Sequence, residues 1–333
     1  MMATDLDDSL PITVIIISIF SLLTNAVLLI VYIRCPLTKM NSYRYFFLLT
    51  VIEDTLYSIG IALDIPRVIS ERFTLIFIAT GIVRQQPFSN ILHVAYCMTF
   101  FIAVVTITNS FIYRYMLLCR TTLFHKCSTK KTMVLGLFVN SLIILNILLV
   151  FYISFWNDDG FSGFVAKNID IPGINVREAA FLGFSLKYGM DTFHFSLVVE
   201  LILLLIVICL INVYCAKKIR DFLRNAKQSN NFLSLQRQIF VLLLIQAACP
   251  VVFLVIPYCF AMFLPFTGIG STPLITNILS ISIALFPVFN PIVVIVFVKE
   301  YRSFILDVMR LRKPSERTVK LFFRSTTRAL DTN

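Results

Sequence analysis

Charged side chains are scarce in this 333-residue chain, in which Lys, Arg, Asp and Glu together make up 14%. An ordinary soluble domain carries about 25%. The hydrophobic fraction is 58% and the mean hydropathy is +0.87, so the polar surface is too small to cover a water-soluble globule of this size. With only 10 glycines and 12 prolines, collagen-like and low-complexity disordered classes are excluded as well. The apolar excess must face lipid, which indicates a membrane protein.

The sequence also lacks the motifs of common enzymes and metal sites. Its three histidines, His93, His125 and His194, fall on separate segments. There is no HExxH pair, zinc-spaced cysteine pair, phosphate-binding loop or GxSxG elbow. We therefore expect no enzymatic activity, no cofactor and no metal.

None of the eight cysteines lies between residues 156 and 190, where the longest outer loop is expected. No disulfide can therefore join that loop to the third span. Three cysteines fall at the inner membrane boundary, where unmodified thiols and palmitoylation are both open; these are Cys119, Cys127 and Cys215.

Seven continuous apolar stretches are long enough to cross a bilayer, which takes about 20 helical residues. They cover residues 11–33, 45–65, 91–118, 133–155, 191–215, 239–266 and 272–298. Residues 1–10 are then a short outer N-terminus and residues 299–333 a basic cytoplasmic tail. A shorter apolar run, residues 73–83, is interpreted as part of an outer loop or an extension of the second helix. The fold class predicted is an all-α bundle of seven transmembrane helices.

Basic residues set the orientation, because they remain on the cytoplasmic side. With the N-terminus outside, 22 of the 29 basic residues fall in inner segments, six fall in outer segments, and Arg114 ends the third span. The acidic N-terminal residues Asp5, Asp7 and Asp8 fit an outer location. We expect a multi-pass plasma-membrane protein whose net charge of +11 meets anionic lipid rather than nucleic acid. An acidic protein partner is the other interpretation of that charge.

Several polar residues lie where lipid makes them costly. Two interpretations stay open for them: a polar network that rearranges on activation, or hydrogen bonds that only fix helix packing. Prolines in the sixth and seventh spans, at 250, 257, 287 and 291, predict kinks that let inner helix ends move. The alternative interpretation is that proline is simply frequent in membrane helices. The candidate network residues are Asn25, Glu53, Asp54, Asn109, Arg114 and Asn290.

Helical spacing predicts which side chains line a cavity among the outer halves of spans three, five, six and seven. With 32 Phe and 12 Tyr in the chain, such a pocket would be largely apolar and suited to a volatile or amphipathic small molecule. Packing or lipid contact is the alternative role at each position. The candidates are His93, Cys97, Phe100, Val104, Asp191, His194, Val198, Tyr258 and Met262.

Four segments carry a family resemblance: NSYRY at 41–45, SFIYRY at 110–115, LQRQIF at 235–240 leading to Gln246 and Pro250, and FPVFNP at 286–291 with KEYR at 299–302. Together with RSTTRA at 324–329, their order and spacing resemble the nematode Str-type seven-transmembrane chemoreceptors, which are related to the Srd and Srj receptors. The resemblance spans nearly the whole chain.

The resemblance implies a divergent rhodopsin-like G-protein-coupled receptor on the sensory cilia of chemosensory neurons, serving olfaction or pheromone detection. A small external molecule and a heterotrimeric G protein are the implied partners. Activation or coupling roles are implied for Tyr113, Arg114, Tyr115, Arg237, Pro250, Asn290 and Pro291.

Two departures from the rhodopsin class concern Arg114. Tyr113 replaces the acid that usually precedes this arginine, and no Asp or Glu lies between Gln228 and Pro265. The usual ionic restraint on Arg114 therefore cannot form, and we expect other contacts to hold the resting state.

A ligand-gated cation channel of the insect chemoreceptor kind is the alternative function. Those channels have the N-terminus inside, which the distribution of basic residues disfavours. A solute transporter is less favoured still, since the chain has no duplicated half or paired broken helices.

Overall fold

The computed structural model describes residues 2–35, 41–83, 88–127, 130–156, 158–169, 179–225 and 230–308. Eleven α-helices, one π-helical turn and three strands form within these ranges. The helices are α1 Met2–Arg34, α2 Asn41–Asp64, α3 Phe88–Cys119, α4 Thr121–Cys127, α5 Lys130–Ser154, α6 Asp159–Asn168, α7 Thr192–Asn225, α8 Asn230–Pro250, α9 Ile256–Thr267, α10 Pro273–Phe297 and α11 Lys299–Val308. The strands are β1 Pro66–Glu71, β2 Thr74–Ala79 and β3 Phe181–Ser185.

Seven helical segments of the described chain are long and apolar enough to cross a membrane, which confirms the predicted bundle. They are formed by α1, α2, α3, α5, α7, α8 with α9, and α10. Several helices extend beyond the predicted bounds, and two differences change the form of a span. Helix α7 continues ten residues beyond the predicted end at residue 215. The sixth span is divided by a π-helical turn, Val251–Val255, in which the Ile256 N–H donates to the Val251 carbonyl five residues back. The turn lies between Pro250 and Pro257, and neither proline can donate the backbone hydrogen bond that an α-helix uses.

Residues 73–83 form neither a plain loop nor a helical extension, so the helical interpretation was wrong. Strands β1 and β2 pair in an antiparallel hairpin, with Glu71 opposite Thr74, and β2 pairs in turn with β3. The two connecting residues, Arg72 and Phe73, both have positive φ, 48° and 68°, as a type I′ turn requires. The hairpin and β3 make a three-stranded sheet, here called the lid.

Strands β2 and β3 of the lid pack closely because Gly183 on β3 has no side chain where the two strands meet. A Cβ on Gly183 would lie 2.2 Å from the carbonyl oxygen of Leu75, so only glycine lets β3 approach β2 this closely. The bundle end that carries the lid is called the lid end, and the opposite end, which carries α11, the tail end.

The lid is tied to the start of α10 and the end of α2. Ser271 donates its backbone N–H to the Ser70 carbonyl at 2.7 Å, and Thr276 donates its hydroxyl to the Val68 carbonyl at 3.0 Å. Past β2, the backbone N–H of Gly81 donates to the Asp64 carbonyl at 2.8 Å. These bonds hold the sheet across helices α2 and α10 of the bundle.

Candidate functional site

Aromatic side chains from α2, α3, α9 and the lid meet beneath the sheet. Their ring centroids lie 6.1 Å apart for Tyr57 and Tyr96, 6.0 Å for Phe100 and Tyr258, and 5.6 Å for Phe77 and Tyr258. These five residues are called the aromatic cluster. The ring of Phe77 brings the lid into direct contact with the sixth span.

The hydroxyl of Tyr57 is the clearest polar group within the aromatic cluster. Its side chain is buried, and its oxygen has no hydrogen-bond partner in the described part of the chain. A buried donor without a partner is costly, and a ligand atom that accepts a hydrogen bond would remove that cost. The surrounding rings offer such a ligand an apolar surface.

His93 and Asp64 form a buried pair beside the aromatic cluster. The imidazole Nδ1 lies 2.6 Å from the Asp64 carboxylate, and both side chains are 0% exposed. The imidazole also packs edge-on against Tyr96, with 5.1 Å between ring centroids. His93, predicted as a ligand contact, therefore joins α3 to the end of α2 and supports Tyr96 from the side.

The other predicted pocket residues divide into two groups. One group packs in the hydrophobic core of the lid-end half, against the aromatic cluster or around it: Cys97, Phe100, Val104, Val198, Tyr258 and Met262. Asp191 and His194 form the second group, at the surface.

Asp191 and His194 pair with each other instead of facing the aromatic cluster. Their side chains lie 2.6 Å apart and are 65% and 34% exposed. The backbone N–H of His194, and to a lesser extent its imidazole, form hydrogen bonds with the Asp191 carboxylate. These bonds lower the pKa of Asp191 below its ordinary value. This pair caps the start of α7.

Buried polar side chains link four spans midway through the bundle. Asn290 donates to Asp54 at 3.0 Å and accepts from Gln246 at 3.1 Å, which connects α10 with α2 and α8. On the other side, Ser58 approaches Ser21 to 2.7 Å, and Asn25 donates to the Pro287 carbonyl at 3.2 Å. We call these residues the polar chain: Ser21, Asn25, Asp54, Ser58, Gln246 and Asn290.

Two further members of the predicted network lie beside the polar chain. Glu53 accepts a 2.6 Å hydrogen bond from Thr106 on α3. Asn109 is half-buried and has no hydrogen bond to the polar chain in the described residues. The α3 contact is thus made by a threonine one turn earlier than the expected asparagine.

Arg114 is buried at the tail end and bound to the sixth span. Its guanidinium donates to the side-chain oxygen of Gln236 on α8 at 3.0 Å. The partner of Arg114 on this span is therefore a neutral amide, in line with the absence of acids from residues 229–264. We call this contact the amide latch.

The remaining coupling candidates have contacts of their own, outside the amide latch. Tyr113 packs between Phe46 and Phe124, with 5.6 Å between ring centroids in each pair. Tyr115 accepts a hydrogen bond from Arg120, and the exposed Arg237 donates to the Leu223 carbonyl on α7. Pro250 is buried where α8 meets the π-helical turn, and Pro291 is buried next to Asn290.

Sequence analysis missed several polar residues that the structure connects. Gln236 and Gln246 stand in the segment that carried the family resemblance, but no role was predicted for them. Glu200, in the middle of an apolar span, was overlooked although intramembrane acids are rare. Among the described residues, no group of three or more His, Cys, Asp or Glu side chains is placed to hold a metal ion.

Comparison with curated proteins finds no match for this chain. The family model described as serpentine type 7TM GPCR chemoreceptor Str matches residues 11–306, which include all seven spans, the lid and the amide latch. The chain belongs to the Str family of seven-transmembrane chemoreceptors.

Proposed function

We propose that this receptor binds a small external molecule at the aromatic cluster and activates a heterotrimeric G protein at the tail end. The observation that carries the proposal is the contact of Tyr258, on the sixth span, with both the lid and α3. A ligand inserted between these rings would displace the lid-end half of the same span whose other half holds Arg114. In this proposal the lid end is outside the cell and the membrane is that of a sensory cilium.

The ligand suited to this cluster is neutral, small and mostly apolar. The five rings present an apolar surface, and the two carboxylates beside it, Asp54 and Asp64, already have the side chains of Asn290 and His93 as partners. The Tyr57 hydroxyl favours a ligand that carries one hydrogen-bond acceptor. Volatile and amphipathic compounds fit this description.

Activation would pass through the sixth span. The π-helical turn after Pro250 gives this span an irregular joint between the aromatic cluster and the amide latch. Gln246, one turn before the joint, holds Asn290. A ligand would favour the state in which the tail end of α8 moves away from Arg114. The free-energy shift can be no larger than the difference in the ligand's binding free energy between the two states.

The tail end carries the charge needed for a G-protein surface. Exposed basic side chains lie on the tail-end segments of α7 and α8: Lys217, Lys218, Arg220, Arg224 and Arg237. Release of the amide latch would uncover Arg114 among these groups.

A ligand screen in cells with a calcium reporter tests the proposal. For any compound active on the unmodified receptor, Tyr258→Ala should raise the half-maximal concentration roughly tenfold, because a buried aromatic contact is worth at least that much in affinity. The matched control is Asp191→Ala, at the exposed pair, which should leave the concentration unchanged. Equal sensitivity of the unmodified and Tyr258→Ala receptors at equal surface expression would contradict the proposed site.

A further inference from the structure

The face shared by α5 and α7 is the least covered part of the bundle. Only 11% of the most apolar window of the α5 span and 17% of that of the α7 span are buried, against 33% or more in the other five. Lipid chains can cover an apolar helix face, so low burial alone assigns no partner. One side chain on this face is not apolar.

Glu200 projects from α7 on this exposed face. Its carboxyl accepts a 2.8 Å hydrogen bond from the side-chain amide of Asn146 on α5, and Glu200 itself is exposed. Each residue lies eight positions from the lid-end terminus of its helix, which is about 12 Å along the axis. The pair therefore sits deep in the hydrocarbon layer, where a polar group facing lipid is costly.

One hydrogen bond does not satisfy a carboxyl group. Ionised or protonated, a carboxyl group has more than two hydrogen-bonding positions on its two oxygens, and Asn146 fills one of them in the described structure. Lipid chains supply no donors. A partner that brings a polar group to the same depth would fill the remaining positions.

A second copy of this chain meets that requirement without any additional component. The amide of Asn146 is both a donor and an acceptor, and the Glu200 carboxyl is an acceptor, so the pair is complementary to itself across a two-fold axis. Around the pair lies a rim of exposed apolar side chains that would pack between copies: Leu142, Leu149, Leu203 and Val207. We call the pair and this rim the membrane patch.

We propose that the receptor forms a symmetric homodimer through the membrane patch, with Glu200 and Asn146 of each copy hydrogen-bonded to those of the other. This inference depends on the bundle spanning a membrane and does not rest on the proposed ligand or G protein. A polar centre within an apolar rim is the arrangement that gives helix contacts in membranes their specificity.

Counting photobleaching steps of the fluorescently tagged full-length receptor in a plasma membrane tests the proposal. The unmodified receptor should show two steps, and Glu200→Leu or Asn146→Leu should weaken dimerisation roughly tenfold, as expected for losing polar contacts between membrane helices. Glu200→Gln, which keeps a hydrogen-bonding group, should retain the dimer. Ile202→Ala is the matched control, because this exposed residue lies on the opposite side of α7. An unmodified receptor with single steps, or a Glu200→Leu receptor that dimerises normally, would overturn the proposal.

Cross-linking with Glu200 intact keeps the test decisive if the leucine variants fail to fold. A photoreactive group at position 203 should yield an adduct of twice the receptor mass, whereas the same group at position 202 should not. An adduct with a different protein, or equal dimer yield at both positions, would show that another partner or no specific partner covers the patch.

Discussion

Replacing Asp64 by alanine should destabilise the receptor by about 1–3 kcal/mol, the usual cost of leaving a buried polar group without its hydrogen-bond partner. Both side chains are fully buried, and the imidazole would lose its 2.6 Å contact. Its second ring nitrogen already has no partner in the described structure. Unfolding of purified receptor can be followed with a thiol-reactive dye, because Cys97, Cys215 and Cys249 are buried and become reactive when the bundle opens.

The chain contains its own control for this experiment. Asp191 and His194 form a pair of the same length, 2.6 Å, at an exposed site. Asp191→Ala should leave the unfolding transition almost unchanged, since solvent replaces the lost contact. Equal shifts for Asp64→Ala and Asp191→Ala would contradict a structural role for the buried pair. Asp64→Asn, which keeps an acceptor, should fall between Asp64→Ala and the unmodified receptor.

Replacing Gln236 by alanine should raise the basal activity of the receptor. The amide latch is a hydrogen bond to a charged group, which contributes about 1.5–3 kcal/mol, and its loss shifts the resting equilibrium roughly ten- to a hundredfold. We expect faster nucleotide exchange on a reconstituted G protein without ligand. The α8 segment should otherwise remain folded, because Ile239, Leu242 and Leu243 keep it packed in the core.

A second substitution at Gln236 distinguishes a specific effect on the amide latch from a general loss of helix packing. Gln236→Glu should form an ion pair with the buried Arg114 and lower basal exchange below that of the unmodified receptor. A damaged helix would change activity in the same direction for both variants. Basal exchange that is equal in all three receptors would show that the amide latch does not hold the resting state.

The seven-helix bundle could be predicted because each membrane-crossing helix needs a long apolar stretch, which is easily recognised in a sequence. It could not predict the lid. Strand β2 is buried along its whole length, so it shows no alternation of polar and apolar residues. The turn between β1 and β2 is Arg72–Phe73, which lacks the Asn-Gly or Asp-Gly pair that usually marks a type I′ turn.

The site was predicted in part, because helical spacing identifies residues on one face but not the direction of that face. His93 and Tyr258 reach the lid-end core, whereas Asp191 and His194, assigned by the same reasoning, remain at the surface. For the polar network, Asn109 was favoured for its amide, but Thr106 is the α3 residue that contacts Glu53. The choice depends on the rotation of α3, which packing sets.

The accessibility of the two bundle ends tests the central claim most directly. Lys187 follows β3 at the lid end and Lys299 begins α11 at the tail end, and both are exposed. With a membrane-impermeant maleimide, Lys187→Cys should react on intact cells, whereas Lys299→Cys should react only after permeabilisation. The reverse pattern would put the ligand cluster inside the cell and the amide latch outside, as in the insect channels, and would contradict the account.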